Sequence, residues 1–368
     1  MKIIAYYLPQ FHQVKENDEW WGEGFTEWTS VRRARPLFKG HEQPKEPGEL
    51  GYYNLLDPKV REAQSVLARG GGVDAFCYWH YWFGNGKMLL ETPLREVLKT
   101  EMPDLPFCLG WANESWKAKT WNSKLAKQER VLMEQNYPGD ADNLNHFHYV
   151  LSAFKDSRYL QIENKPVFVI YRPLEIPNTS EFLAQWRNLA KRNGLYGIFF
   201  IAHTMNAKEI DKLIELGFDG VNIVRLGEHK FNFNFKIKNF LKLLRYKYLN
   251  TPLVLDYRKM LKYLTQKEEY RNKVFPTIIP NWDHTPRSGR HGMLFVKAEP
   301  DSFGAHVRNV IATMAHKPSS LKVAFVKSWN EWGEGNYMEP DLKYGQALLD
   351  ILYREKQEVD QSGNNLYI

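Results

Sequence analysis

Two glutamates stand three residues apart in the segment Ser328-Trp329-Asn330-Glu331-Trp332-Gly333-Glu334-Gly335. On an extended strand, positions i and i+3 face opposite sides. The two glycines favour a turn, which would bring the carboxyls of Glu331 and Glu334 to one place. Two neighbouring carboxylates drive each other's pKa apart, and one can stay protonated near neutrality. A proton donor beside a carboxylate is what acid–base chemistry at a glycosidic bond requires. The competing reading of either residue alone is a helix cap or an ion pair with an arginine.

Glu114, in Trp111-Ala112-Asn113-Glu114-Ser115-Trp116, is the second candidate. Across a sugar ring from Glu331, at about 5 Å, it would complete a two-sided retaining pair with one carboxylate as nucleophile. Alternatively Glu331 and Glu334 work from one side. A carboxylate three residues from the acid is badly placed to attack the opposite face, but it can deprotonate a sugar 2-hydroxyl, which then attacks its own anomeric carbon. Glu114 would then bind hydroxyls. Asp140-Ala141-Asp142 has the spacing of a metal-binding pair in nucleotide-sugar transferases. Its setting, Pro-Gly-Asp-Ala-Asp-Asn before a helix, is explained by turn and N-cap chemistry.

The elements that must position these groups follow a regular alternation. Apolar strand-like runs at residues 3–8, 73–79, 107–111, 166–171, 197–202, 220–224, 274–279 and 322–326 alternate with helix-like runs. Eight such units predict a single (β/α)8 TIM barrel, with a long first βα loop reaching residue 54 and an insertion after strand six. Asp57-Pro58 opens a helix that stops at the glycines 70–72, and a last helix is expected over 344–355. No Gly-rich phosphate loop follows the first strand, which argues against a dinucleotide-binding sheet. One domain is expected over 1–357, with 358–368 a polar, fraying tail.

A barrel carries its site at the C-terminal ends of its strands. The residues there are Tyr7, Gln10 and His12, then Glu27 and Trp28 in the long first loop, Trp79 and Tyr81, Trp111, Asn113 and Glu114, Tyr171, and His203. Trp282, Asp283 and Arg287 follow the seventh strand, and Asn330 and Trp332 flank the glutamate pair. Sugars have apolar C–H faces and hydroxyl rims, which aromatic platforms with amide, carboxylate and guanidinium groups match. All of these are read as substrate-binding residues; a structural pairing of Arg287 with Asp283 is the alternative for those two.

Composition removes other classes. The chain has 368 residues, 43% hydrophobic and 14% aromatic, which excludes a disordered chain, a fibre or a disulfide-stapled mini-protein. Cys77 and Cys108 sit in apolar strand runs and are expected as reduced core thiols. The net charge of +7 is modest, and the acidic inventory at the strand ends does not suit nucleic acid. HExxH and GxSxG motifs are absent. No metal or other cofactor is expected. The N-terminus breaks at Pro9 and Gln10 without a cleavage site, so no signal peptide is expected and the cytoplasm is the expected compartment.

Taken together, AYYLPQFH, GFTEW, FCYWHYWF, WANESW, PNWDHTPR and SWNEWGEG resemble the WbsX-like proteins, which are encoded with bacterial surface-polysaccharide biosynthesis genes and are similar to glycoside hydrolase family 99. The resemblance spans nearly the whole chain. It implies a retaining, endo-acting, mannosidase-like enzyme on a (β/α)8 barrel, with a proposed 1,2-anhydro sugar intermediate. Residue by residue it implies that Glu331 assists the 2-hydroxyl and Glu334 is the general acid/base. The chain departs from the family at His284, where asparagine is usual. WbsX-like proteins are often called glycosyltransferases, so transfer in O-antigen or capsule biosynthesis stays open beside hydrolysis, as does a non-catalytic glycan-binding barrel. The expected partner is an oligosaccharide or polysaccharide, lipid-linked in one reading.

Between residues 229 and 255 there is no acidic residue, and the insertion at 228–256 holds six Lys or Arg among aromatics and leucines. Its apolar residues include Phe231, Phe233, Phe235, Ile237, Phe240, Leu241, Leu243 and Leu244. The preferred reading is a small subdomain that packs them on the barrel with its lysines in water. The other is peripheral contact of 230–248 with an anionic inner-membrane surface.

Overall fold

The computed structural model describes residues 1–117, 131–227 and 233–364. In it the eight apolar runs form the staves of a barrel. They are β1 (Lys2–Tyr7), β2 (Ala75–Trp82), β3 (Phe107–Trp111), β4 (Lys165–Ile170), β5 (Phe199–Thr204), β6 (Gly220–Ile223), β7 (Val274–Phe275 and Thr277–Ile278) and β8 (Val323–Val326). Each pairs in parallel with the next, and β1 pairs with β8. The expected (β/α)8 barrel is the observed fold.

Closure happens at β7. Expected as one run, it is broken at Pro276, which has no N–H to give a ladder. Val274–Phe275 pairs with β6, and Thr277–Ile278 pairs with β8. Asn222 of β6 spans the break: its Nδ2 donates to the Phe275 carbonyl (3.1 Å) and the Thr277 hydroxyl (2.9 Å), while its Oδ1 accepts from the Tyr6 hydroxyl (2.8 Å) on β1. A polar belt thus crosses the barrel interior and joins strands one, six and seven.

Strand alternation decides which side chains face that interior. Tyr6 faces in, stacked on Trp79 (4.6 Å between centroids) and Phe325 (5.1 Å). Tyr7 faces out, and its hydroxyl donates to Gln64 (2.7 Å) on the helix Pro58–Gly70. That helix begins as its sequence requires, with Asp57 accepting from the Lys59 N–H (2.9 Å) and Pro58 at the first position.

Three expectations change. The first βα loop is partly helical, over Lys15–Trp21 and Glu27–Arg33; reciprocal capping between Thr26 and Thr29 starts the second of these and sets Glu27 in its first turn. The last helix runs over Ala347–Asn364, through much of the stretch expected to fray. Lys356 reaches Asp74 (2.7 Å) and the Gly72 carbonyl (3.1 Å), and Glu355 accepts from Arg308 (2.6 Å), so this helix is tied down at residues 355 and 356.

The insertion is also larger than 228–256. Helices Phe233–Lys238 and Phe240–Tyr248 lead into a strand, Leu253–Asp256, which pairs in parallel with Met293–Val296 from the segment after β7. A second apolar core joins Phe235, Leu253, Leu255, Tyr257, Met260 and Phe295 to Val224 and Ile279, just past β6 and β7. Residues 228–232, with Phe231, and residues 365–368 lie outside the described residues. Among the described residues no helix is long and apolar enough to cross a membrane.

Asn330 ties the segment after β8 to the end of β1: Oδ1 accepts from the Leu8 N–H (2.8 Å), and Nδ2 donates to the Leu8 carbonyl (3.0 Å), with the side chain fully buried. Asn330→Ala leaves both Leu8 groups buried without partners, and each such group costs about 1–3 kcal/mol. Urea unfolding should show a loss of about 2–4 kcal/mol, and a loss below about 0.5 kcal/mol would contradict this account of the staple.

Candidate active site

The turn that the glycines suggest is present. Ser328 Oγ accepts from the N–H groups of Asn330 (3.2 Å) and Glu331 (3.0 Å). Asn330–Glu331 pairs antiparallel with Asn336–Tyr337, around a short 3-10 turn, Trp332–Glu334, that ends on Gly335 at φ +55°. Gly335 is required there by conformation and by space, since a Cβ would sit 2.7 Å from that of Asp283.

Both carboxylates converge on one ammonium. Phe325 faces the interior, so the period of two puts Lys327 on the same side. Its Nζ lies 3.0 Å from Glu331 Oε2 and 3.9 Å from Glu334 Oε2. Glu334 Oε1 accepts from Arg287 (2.6 Å) and lies 3.6 Å from His284 Nε2. Arg287 in turn holds Glu27 through Nε (3.0 Å) and a terminal nitrogen (2.7 Å). The Gly333 N–H donates to the same Glu27 oxygen (3.0 Å), and a Cβ at 333 would lie 2.0 Å from it. Three carboxylates and two cations from the first loop, the seventh-strand loop and the eighth-strand loop therefore form one chain of charge.

That chain pushes the pair apart. Burial, then the neighbouring Glu334 charge, raises the Glu331 carboxyl to about 7, against the opposing pull of Lys327. Burial would raise Glu334 too, but Arg287 and then Lys327 outweigh it and hold this carboxyl well below the usual range. A hydrogen bond with Glu331 lowers it further. Below about pH 7 the free site is therefore expected to keep a proton on the pair, and the direction of the two shifts favours Glu331 as its holder. The resemblance implies Glu334 as the acid; in the free site the proton stands on the other member.

Around the pair is an aromatic wall. Tyr81 and Tyr171 have phenols raised first by burial and then by glutamate charges that include Glu331 and Glu114, so both face the charged cluster. Tyr171 meets Trp79 edge-on (5.5 Å) and His203 (4.8 Å). Burial, then Lys327 and Arg172, lowers His203 to about 3, so it is a neutral imidazole there. Trp282 stacks on His284 (5.8 Å) and lies under the Lys327 ammonium (5.6 Å). Glu114 is half-exposed and accepts from Arg172 Nε (3.1 Å) and a terminal nitrogen (2.9 Å).

The expected site residues divide into two groups. Glu331, Glu334, Arg287, Trp79, Tyr81, Tyr171, His203 and Trp282 come together at the mouth, with Glu27 behind Arg287 and Glu114 beside Arg172. Gln10 supports the long loop, its carbonyl accepting from the Glu27 N–H (3.0 Å). His12 is buried on the Pro9 carbonyl (2.9 Å), with Nε2 unpartnered.

The others have their side chains engaged in the scaffold. Tyr7 points to the helical shell. Trp28 is buried, donating to the Tyr53 carbonyl (2.8 Å), and Trp111 donates to the Trp82 carbonyl (2.9 Å). Asn113 fastens the β4 end through the Arg172 backbone (2.7 and 2.9 Å). Asp283 has both oxygens occupied, one by His41 (2.9 Å) and Gln43 (2.6 Å), the other by Thr285. Trp332 donates to buried Glu339 (2.6 Å) and stacks on Tyr337 (3.7 Å); Asn330 is the strand staple.

Sequence reasoning passed over Lys327, although inward-facing Phe325 two residues earlier signals its direction. It named Tyr7 among the substrate-binding residues, whereas Tyr6 is the one that enters the barrel. Asp142 lies in the first turn of the helix Asp140–Phe154, whose N-cap is Gly139, and accepts from Trp82 (3.0 Å) and the Asn85 N–H (2.7 Å), so its side chain ties this helix to the end of β2 instead of capping its own turn. Among the described residues no group of three or more metal-ligating side chains gathers; His146, one residue from His148, is spent on His80 (2.8 Å between Nε2 atoms).

A (β/α)8 barrel with converging carboxylates in an aromatic mouth is the architecture of carbohydrate-active enzymes. Residues 3–352 match the family described as glycosyltransferase WbsX, and the chain belongs to that family. It is 35% identical over 352 residues to an uncharacterized protein WxcX of Xanthomonas campestris pv. campestris, covering 95% of this chain and 48% of that one. The chain thus spans about half the length of the curated relatives it matches. Among solved structures it is similar to a GH99 endo-alpha-mannosidase from Bacteroides thetaiotaomicron (TM-score 0.57, 16% identity, 98% of each chain covered). It is also similar to a glycoside hydrolase-like protein (TM-score 0.60, 13% identity, 96% of this chain and 93% of that one). At these identities the likeness is one of fold.

The raised Glu331 carboxyl has a stability consequence. Between its ordinary 4.5 and about 7, the folded protein holds a proton that the unfolded chain has released. Stability from this group therefore falls as pH rises through that window. Glu331→Gln mimics the protonated state at every pH. The Tm of this variant relative to the parent should rise from pH 5 to pH 8, and a difference that is flat or falls would contradict the assignment of the proton.

Proposed function

We propose that the chain acts on glycosidic bonds of a bacterial surface polysaccharide or its oligosaccharide precursor, by retaining, endo-acting, mannosidase-like cleavage with Glu331 and Glu334 as the working pair. The observation that carries this reading is the convergence of the two carboxyls on Lys327, at 3.0 and 3.9 Å. Both lie on the same loop, which favours attack by the sugar's own 2-hydroxyl over attack by a carboxylate from the opposite face. In the first step one carboxylate takes the 2-hydroxyl proton, O2 bonds to C1, and the C1–O bond to the leaving group breaks as the other carboxyl protonates that oxygen. Water then opens the 1,2-anhydro ring with the proton roles reversed.

For Glu334 to be the acid, the proton must cross the hydrogen bond from Glu331, which leaves Glu331 as the base. Arg287 opposes that transfer while it grips Glu334, so the bound sugar has to loosen the Arg287–Glu334 contact. Trp79, Tyr81, Tyr171 and Trp282 would supply the stacking faces, with neutral His203 and the Glu114–Arg172 pair at hydroxyls. The family description favours a second reading, transfer of a sugar from an activated donor in O-antigen or capsule assembly through the same pocket, in the cytoplasm and on a lipid-linked acceptor.

The test is incubation with the host's own surface polysaccharide, with and without nucleotide-sugar donors, followed by product analysis. New reducing ends without donor support hydrolysis; donor-dependent elongation supports transfer. Glu331→Gln and Glu334→Gln should each lower the rate about 10²–10⁴-fold while glycan binding persists. Full activity in either variant would end the reading, and glycan binding without turnover on any substrate would leave a binding barrel.

A further inference from the structure

The insertion after β6 buries one apolar face and leaves another uncovered. On the helix Phe240–Tyr248, Leu243 and Tyr246 pack toward the second core. Phe240 (59% exposed), Leu241 (73%), Leu244 (36%) and Tyr248 (67%) form a separate stripe at helical spacing, and Ile237 (59%) extends it from the preceding helix. Soluble proteins seldom expose so many large apolar side chains on one face without a partner for it.

The charges fit one partner. At 100° per residue, Arg245 flanks one side of the exposed stripe and Lys247 the other, while Lys236 and Lys238 lie on the preceding helix; Lys242 is turned away and donates to the Val254 carbonyl (3.0 Å). No acidic residue occurs from 229 to 255. A protein partner with an apolar patch would not need cations on both borders. An anionic bilayer does: its acyl boundary takes the leucines and aromatics, and its headgroups take the lysines, whose stems can run along the apolar surface.

The location also fits. The insertion follows β6, so it sits at the mouth end of the barrel. The Tyr246 hydroxyl donates to the His291 carbonyl (2.9 Å), a short way along the chain from Arg287. The paired strands of the insertion are bonded directly to the site segment, with the Phe295 N–H on the Trp282 carbonyl (2.7 Å) and the His284 N–H on the Met293 carbonyl (3.1 Å).

We infer that the face formed by Ile237, Phe240, Leu241, Leu244 and Tyr248, bordered by Arg245 and Lys247, docks the protein on an anionic membrane surface and holds the barrel mouth beside it. The inference stands apart from the identity of the sugar. Vesicle co-sedimentation of the full chain tests it, with phosphatidylglycerol-containing and pure phosphatidylcholine vesicles. Binding to the anionic vesicles only, weakened by high salt and reduced about tenfold by Leu241→Glu with Leu244→Glu, is the expected result. These positions are exposed, and thermal unfolding and soluble-glycan binding of the double variant should match the parent.

Equal binding to both vesicles, no binding to either, or binding unchanged in the double variant would overturn the inference. A concentration-dependent dimer that the same substitutions abolish, without vesicle binding, would assign the face to a second copy of the chain and would equally overturn it. None of these outcomes bears on whether the glutamate pair turns over a soluble glycan.

Discussion

Two cations shared among three buried carboxylates are the constraint on which the site depends. Glu27, Glu334 and Glu331 come from two loops, and without Arg287 and Lys327 their mutual repulsion and desolvation would force them apart or neutral. Of the glutamate pair, Arg287 hydrogen-bonds Glu334 and not Glu331, so the proton that burial favours falls to Glu331. Acid–base capacity here is thus a property of the whole chain of charge and not of either glutamate alone.

The barrel spends much of its conspicuous chemistry on holding that chain. Gly333 exists so that Glu27 can approach the turn, and Gly335 so that Asp283 can. Asp283 is itself fixed by His41, Gln43 and Thr285, and its N–H bonds the Glu334 carbonyl (2.6 Å). Beneath the turn, buried Glu339 accepts from Trp332, Gln64 and Tyr53, tying the eighth-strand loop to the helix Pro58–Gly70 and the first loop. Burial raises this carboxyl to about 7 despite its three donors, so a second buried acid below the site is poised near neutrality.

Much of this was legible in the sequence. Eight apolar runs at βα spacing set the barrel, and the glycines of the 328–335 segment announced the turn, because these signals are local. Direction was harder. Tyr6 and Tyr7 are identical in type, and only the register of β1 against β8 and β2 decides which one enters the barrel. Composition at the strand ends does not separate the two roles for the same reason: Trp28, Trp111, Asn113, Asp283, Asn330 and Trp332 suit a sugar site equally well as buried hydrogen-bonded scaffold. The extent of the insertion was hidden because its strand pairs with a segment some forty positions away. Lys327 was missed because a lone lysine carries no motif, although strand alternation gives its direction.

The most direct test of the shared proton is a carboxyl-selective titration, by isotope-edited infrared or carbon NMR, of the parent and the two glutamine variants. The account predicts two buried carboxyls titrating near neutrality: Glu339, present in all three proteins, and a second that is absent in Glu331→Gln and moved to lower pH in Glu334→Gln, where the neighbouring charge is gone. A near-neutral titration that survives in Glu331→Gln and vanishes in Glu334→Gln would place the proton on the other residue and contradict the electrostatic account of the site.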